Sequence, residues 1–105
     1  MKILFYSSKR YEEPYLINAN SNHYEIKFIR ESLNINTAVL SEGFDAISVF
    51  ANDDASADVI RILKKNNVRF IAIRAAGYDN TDIAKAAEFN IKVANVPDYS
   101  PEGIA

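Results

Sequence analysis

The residues that decide the fold are Arg74-Ala75-Ala76-Gly77-Tyr78-Asp79-Asn80-Thr81-Asp82, followed further along by Pro97-Asp98-Tyr99-Ser100-Pro101. The first segment follows an apolar run and precedes an alanine-rich stretch, which predicts a buried strand, a glycine turn and a capped helix. A second strand then leads to Ser100, a favourable N-cap ahead of a proline at the first helical position. The sequence therefore predicts a strand–turn–helix–strand unit that opens into a further helix.

Few residues of the given sequence follow the predicted start of that further helix. The chain ends at Ala105, about one turn after Ser100, and one turn does not repay the cost of helix nucleation. We therefore expect residues 1–105 to be a single domain belonging to a longer protein, because 105 residues suffice for one core and not for two.

Composition narrows the class of protein. Apolar residues make up 49% and charged residues 25%, as in ordinary globular domains, and the net charge of −2 offers no attraction to nucleic acid or anionic membranes. With no cysteine and one histidine, disulfides, thiolate catalysis and clusters of histidine or cysteine metal ligands are excluded. The apolar run at the N-terminus is far too short for a signal peptide or a membrane span, so we expect a cytoplasmic protein.

Strands and helices alternate along the chain. Apolar or alternating runs predict five strands, at Ile3–Tyr6, Tyr24–Phe28, Ala46–Phe50, Phe70–Ile73 and Ile91–Val96. Helices are predicted between them, at Glu12–Ala19, Thr37–Glu42 closed by Gly43, from a cap at Asp54 or Ser56 to about Lys65, and at Asn80–Phe89. The third helix is expected to bury Val59, Ile60 and Leu63, and the fourth to bury Ile83, Ala84, Ala86 and Ala87.

The strand order follows from which strands carry polar residues. The second and fifth strands carry polar residues among apolar ones, namely Glu25, Lys27, Lys92 and Asn95, and such strands suit the edges of a sheet. The other three strands are nearly all apolar. Helical crossovers imply parallel strands, and right-handed crossovers then favour the order 2-1-3-4-5. The predicted fold is α/β: a flavodoxin-like three-layer sandwich with a five-stranded parallel sheet and helices on both faces.

In such a sheet a ligand binds outside the carboxyl ends of the strands, near the point where the strand order reverses. Ser7 and Ser8 follow the first strand there. Phe50, Ala76, Gly77 and Tyr99 follow the third, fourth and fifth strands, which are neighbours. We therefore expect these four residues to line one crevice.

The turn at Ala76-Gly77 is the candidate anion site of that crevice. Its backbone N–H groups can hydrogen-bond a small carboxylate, and the missing side chain of glycine permits a close approach. The start of the following helix is a poorer choice, because Asp79 and Asp82 already occupy it and repel an anion. The alternative that stays open is that Gly77 only serves a tight connection between strand and helix.

Other polar residues have simpler interpretations. Asp53 and Asp54 resemble a metal pair but are typical of a helix start. Arg74 ends a buried strand and either faces the crevice or pairs with Asp79 or Glu102. Tyr78 either walls the pocket or packs on the next helix, and His23 lies in a polar loop and is expected on the surface.

Taken together, the segments at 74–82 and 95–105 resemble the D-isomer-specific 2-hydroxyacid dehydrogenase family, most closely its D-lactate dehydrogenase branch. The resemblance covers the whole chain and is strongest from Phe44 onward. It implies a flavodoxin-like substrate domain, into which a dinucleotide-binding domain is inserted. It also implies that the amides of Ala76 and Gly77 hold the substrate carboxylate and that Tyr99 reaches the same pocket. Phe50 stands where lactate-type members commonly have a tyrosine.

The resemblance further implies what residues 1–105 do not supply. The family's catalytic arginine, glutamate and histidine and its glycine-rich loop for NAD match nothing before Ala105, and no G-x-G-x-x-G occurs. We therefore expect this portion to be inert alone, with no catalytic residue and no metal, and the complete protein to be a homodimer acting on a small 2-keto or 2-hydroxy acid. The alternative is a non-enzymatic, corepressor-like binding protein of the same fold. A signalling receiver and a flavodoxin are disfavoured, because the residues after the first and third strands lack the required acidic residues and phosphate loop.

Overall fold

The structure is a computed structural model that describes residues 2–8, 25–50, 53–74 and 81–95. Five strands form one parallel sheet with the order β2-β1-β3-β4-β5, which confirms the predicted topology. In chain order the strands are β1 (Lys2–Phe5), β2 (Glu25–Phe28), β3 (Ala46–Phe50), β4 (Phe70–Arg74) and β5 (Lys92–Asn95).

The sheet order reflects how far each strand is shielded from water. Residues 46–49 of the central strand β3 are all buried, whereas β2 and β5 alternate between exposed and half-buried positions along their length. Lys27 and Lys92 lie at exposed positions of the two edge strands. Exposed charged residues of this kind suit a strand that faces water on one side.

Two helices and a short 3₁₀ helix follow in the described residues: the 3₁₀ helix at Ala38–Ser41, α1 at Ala57–Lys65 and α2 at Ile83–Glu88. The 3₁₀ helix is the shortened form of the helix predicted at Thr37–Glu42. Gly43 follows it with a φ of +90°, a conformation that glycine adopts without steric cost. The helix predicted at Glu12–Ala19 lies outside the described residues.

Helix α1 has the predicted extent and the predicted inner face. Val59, Ile60 and Leu63 are buried. Ser56 occupies the N-cap position, although its side chain makes no capping hydrogen bond. Asp54 organises this end instead, since its Oδ1 accepts a hydrogen bond from the Ser56 N–H at 2.9 Å.

Helix α2 corrects two predictions. It begins at Ile83 and not at Asn80, because Thr81 pairs with Ala55 in a β-bridge and Asp82 caps the helix by accepting a hydrogen bond from the Lys85 N–H at 2.9 Å. Within the helix Ala86 is buried, whereas Ile83, Ala84 and Ala87 are exposed. A helix of six residues presents less than two turns, so one small residue suffices for its contact with the core.

The two faces of the sheet differ in what covers them. Leu4, Ile47 and Ile71 are register partners on one face, and they form the core with the buried residues of both helices and the 3₁₀ helix. The other face carries Phe5 and Ser48 and borders a groove of about 660 Å³. The described helices therefore pack on one side of the sheet, and any second helical layer of the predicted sandwich lies outside the described residues.

Tyr6 anchors the 3₁₀ helix to the core. Its ring is fully buried, and its hydroxyl donates a hydrogen bond to the carbonyl of Thr37 at 2.9 Å. Burial, assisted by the negative charge of Asp53, raises the pKa of the Tyr6 hydroxyl well above its ordinary value. In the folded chain Tyr6 therefore keeps its proton at a pH at which an exposed tyrosine has lost it.

This raised pKa predicts a loss of stability at alkaline pH. Above about pH 10 the unfolded chain loses the Tyr6 proton while the folded chain keeps it, so the free energy of unfolding falls as the pH rises. Urea denaturation between pH 8 and pH 11 is expected to show a steeper fall for the wild type than for Tyr6→Phe. Parallel curves for the two proteins would contradict this assignment.

Candidate functional site

The carboxyl ends of β1, β3 and β4 meet at one edge of the sheet. Phe50 ends β3 and is the register partner of Arg74, which ends β4. Ser7 lies two residues after the end of β1, and Asp53 lies three residues after the end of β3. The structure thus confirms that the ends of these three strands form one neighbourhood, as the strand order predicted, and both Asp53 and Arg74 lie in it.

Arg74 is buried, with 3% of its surface exposed, and its guanidinium reaches across β3 to β1. Nη1 donates a hydrogen bond to Ser48 Oγ at 2.9 Å, and Nη2 donates to the carbonyls of Tyr6 at 2.7 Å and Ser7 at 3.1 Å. The guanidinium carbon also lies 3.9 Å from the centre of the Phe5 ring, within the range of a cation–π interaction. Arg74 therefore joins three strands at the candidate site.

Asp53 is the second buried charge of this edge and is 2% exposed. Its Oδ1 accepts hydrogen bonds from Ser7 Oγ at 2.6 Å and from the Leu33 N–H at 3.1 Å, while Oδ2 accepts from the Phe50 N–H at 2.6 Å. The sequence predicted a helix start for the Asp53-Asp54 pair as a whole, and in the structure the two side chains differ. The carboxylate faces inward, toward the ends of β1 and β3, and its neighbour Asp54 serves the helix.

The N–H groups of Ser7 and Ser8, which belong to the described residues after β1, are not available to a phosphate group. Ser7 has a φ of +54°, and the N–H groups of Ser7 and Ser8 donate to the carbonyls of Glu31 at 2.9 Å and Ile29 at 2.8 Å. Amides that are engaged in this way cannot cradle an anion. Ser8 Oγ is buried and has no hydrogen-bond partner among the described residues.

The predicted site residues fall into two groups. Phe50 is half-buried at the edge of the sheet, with its ring centre 5.8 Å from the Arg74 guanidinium carbon. Ala76, Gly77 and Tyr99 lie outside the described residues, as do Tyr78 and His23, so their roles stay predictions. For Arg74 the two acidic partners suggested by the sequence, Asp79 and Glu102, also lie there.

Sequence reasoning missed the parts that Asp53 and Arg74 play. A weak signal existed for Arg74, because a charged residue at the end of an apolar central strand has to find buried acceptors. For Asp53 no local signal existed, since Asp53-Asp54 ahead of Ser56 is typical of a helix start.

Neither a metal centre nor a membrane span is found in the described residues. The acidic side chains there form no group of three that could hold a metal ion. None of the helices over these ranges has the length and apolar character that crossing a bilayer requires.

Comparison with known proteins identifies the family. Residues 3–105 match the family model described as D-isomer specific 2-hydroxyacid dehydrogenase, catalytic domain. The chain is 41% identical over 106 residues to a D-lactate dehydrogenase of Escherichia coli, and all of this chain aligns with 32% of that protein. It therefore spans about a third of the length of this relative.

Solved structures agree with the match in sequence. The apo-structure of D-lactate dehydrogenase from Escherichia coli superposes with a TM-score of 0.89 at 41% identity, over 97% of this chain and 33% of that one. A D-isomer specific 2-hydroxyacid dehydrogenase from Lactobacillus delbrueckii ssp. bulgaricus, in an NAD complexed form, superposes with a TM-score of 0.83 at 30% identity, over 97% and 31% of the two chains. The 105 residues therefore belong to the D-isomer specific 2-hydroxyacid dehydrogenase family.

Proposed function

We propose that this chain is the substrate-binding portion of an NAD-dependent D-2-hydroxyacid dehydrogenase that interconverts a 2-keto acid and a D-2-hydroxy acid. The observation that carries the proposal is the family match over residues 3–105, supported by the strand ends that gather Phe50, Asp53 and Arg74 at one edge. The complete protein is proposed to be a cytoplasmic homodimer.

In this proposal the chain orients the substrate. The amides of Ala76 and Gly77 bind its carboxylate, and Phe50 and Tyr99 form the wall around its side chain. Phe50 contributes a phenyl ring without a hydroxyl donor, so the wall is apolar at that point. An apolar wall accepts a bulkier 2-keto acid as readily as pyruvate, and we propose a substrate class broader than lactate alone.

The described residues do not fit a dinucleotide. The amides that follow β1 are already hydrogen-bonded within the backbone, and α2, with six residues, is capped by Asp82. A pyrophosphate requires main-chain donors at a glycine-rich turn, and an aspartate at the helix start repels it. We therefore propose that NAD is bound mainly by a part of the complete protein outside these 105 residues.

The experiment that tests the proposal is an assay of the complete gene product. With NADH and a series of 2-keto acids, from pyruvate to acids with branched side chains, we expect reduction to the D-isomer, which chiral chromatography identifies. Residues 1–105 alone serve as the control and are expected to be inactive. A complete gene product that binds 2-keto acids but reduces none would overturn the enzymatic proposal in favour of the corepressor-like alternative.

A further inference from the structure

We propose that Asp53 is a positioning residue for Phe50, because its buried carboxylate fixes the backbone that carries this candidate pocket wall. The consequence for substrate selectivity rests on the proposed function, since Phe50 matters to selectivity only if the pocket binds a 2-keto acid.

The first argument is that Asp53 forms hydrogen bonds with the backbone of Phe50. Asp53 Oδ2 accepts a hydrogen bond from the Phe50 N–H at 2.6 Å, and the Asp53 N–H donates one to the Phe50 carbonyl at 3.0 Å. Two hydrogen bonds of opposite sense between the same two residues hold both polar groups of the Phe50 backbone. The direction of the Phe50 side chain follows from this backbone orientation.

The second argument is that Asp53 is itself held by the rest of the fold. Its Oδ1 accepts hydrogen bonds from Ser7 Oγ at 2.6 Å and from the Leu33 N–H at 3.1 Å. The Ser7 turn is held in addition from its other side, where Arg74 Nη2 donates to the Ser7 carbonyl at 3.1 Å. Phe50 is therefore tied through Asp53 to the end of β1 as well as to its own strand.

The third argument is the contrast between Asp53 and its neighbour. Asp54 is exposed and accepts a hydrogen bond from the Ser56 N–H, as expected of an aspartate at a helix start. Asp53 is 2% exposed, and a buried carboxylate is costly unless hydrogen-bond donors surround it. Donors on separate segments of the described chain, at Ser7, Leu33 and Phe50, converge on Asp53, an arrangement that connects these segments to one another.

The ring of Phe50 has a second constraint that depends on the first. Its centre lies 5.8 Å from the guanidinium carbon of Arg74, near the outer limit of a cation–π interaction. At this distance a small displacement of the Phe50 backbone ends the contact. Loss of the Asp53 carboxylate is therefore expected to release the ring as well as the main chain.

The first test uses Asp53→Asn in the complete gene product, with Asp54→Asn as the matched control. An asparagine side chain keeps the volume and replaces one acceptor oxygen with a donor. We expect the ratio of kcat/KM for pyruvate to kcat/KM for a branched 2-keto acid to shift by about 10-fold, while the KM for NADH is unchanged. The control is expected to change neither, and an unchanged ratio in Asp53→Asn would overturn the proposal.

A double-mutant cycle separates positioning from a general structural effect. If Asp53 acts through Phe50, Asp53→Asn adds no further shift in the substrate ratio to a protein that already carries Phe50→Ala. An equally large shift in both backgrounds would show that Asp53 acts by another route. Ser7→Ala, which removes one link and keeps the buried carboxylate, is expected to shift the ratio in the same direction to a smaller extent. If Asp53→Asn fails to fold, the Ser7→Ala variant tests the proposal in its place.

A measurement without turnover distinguishes this inference from the proposed function. Fluorinated phenylalanine is incorporated into the complete gene product, and the ¹⁹F signal of Phe50 is assigned by its loss in Phe50→Leu. We expect Asp53→Asn to shift or broaden this signal and Asp54→Asn to leave it in place. If the signal moves but no 2-keto acid is reduced, the positioning role stands and the proposed function fails. An unmoved signal overturns the positioning role.

Discussion

Replacement of Arg74 with methionine is expected to lower the free energy of unfolding of the chain by about 2–4 kcal/mol. Methionine keeps most of the buried stem but removes the hydrogen bonds to Ser48 Oγ and to the carbonyls of Tyr6 and Ser7. These acceptors lie at a buried edge, where an acceptor that loses its donor cannot recover water. Relief from burying a charge offsets part of the loss, which is why the expected effect is below the sum of the individual hydrogen bonds.

The measurement is urea denaturation followed by circular dichroism, with Arg69→Met as the control. Arg69 directly precedes β4, but its side chain is 66% exposed, and its Nη2 lies 3.7 Å from Asp45 Oδ1. We therefore expect its loss to cost less than about 1 kcal/mol. Arg74→Lys keeps the charge without the planar fork and is expected to restore stability only in part. Equal stability of Arg74→Met and the wild type would show that the guanidinium does not hold the strand ends.

Replacement of Leu63 with alanine is expected to destabilise the chain by about 2–5 kcal/mol. Leu63 is fully buried on the inner face of α1, where it belongs to the same core cluster as Ile47 and Ile71 of the sheet. Truncation leaves a cavity between helix and sheet, and the packed neighbours fill it only partly.

The matched control for this prediction is Leu40→Ala in the 3₁₀ helix. It removes the same atoms from a side chain that is 46% exposed, so we expect a cost below about 1 kcal/mol. Both variants are measured by urea denaturation under the same conditions. Similar losses at the two positions would mean that α1 does not pack on the sheet as the structure shows.

Leu63 and Arg74, the residues of the two predictions above, stabilise the same sheet from its opposite faces. Leu63 holds α1 against one face of the sheet, and Arg74 holds the strand ends from the other. Asp53 precedes both residues in the chain, just ahead of α1, and connects β3 to β1. The proposed substrate pocket requires walls that do not move, and the buried polar contacts at this edge hold Phe50, its proposed wall, in place.

The strand order shows how far local pattern determines a fold. Charges at every second position of residues 25–28 and an apolar run at Ala46–Phe50 distinguish an edge strand from a central one, because burial on both faces excludes charge. With right-handed crossovers the order 2-1-3-4-5 follows, and the structure has it. The same reasoning failed at α2, where Ile83 is 40% exposed, because the periodicity of a short helix does not reveal how much of it touches the core.

By itself, the sequence determined the parallel sheet, its order, the inner face of α1 and the family, since each depends on patterns within one segment or on motifs that lie close together. Tertiary structure alone decided what Asp53 and Arg74 do. Asp53 meets Ser7 across 46 positions of sequence, and Arg74 meets Tyr6 across 68. A buried charge is stabilised by whichever donors or acceptors the fold brings within about 3 Å, and only the folded chain determines which these are.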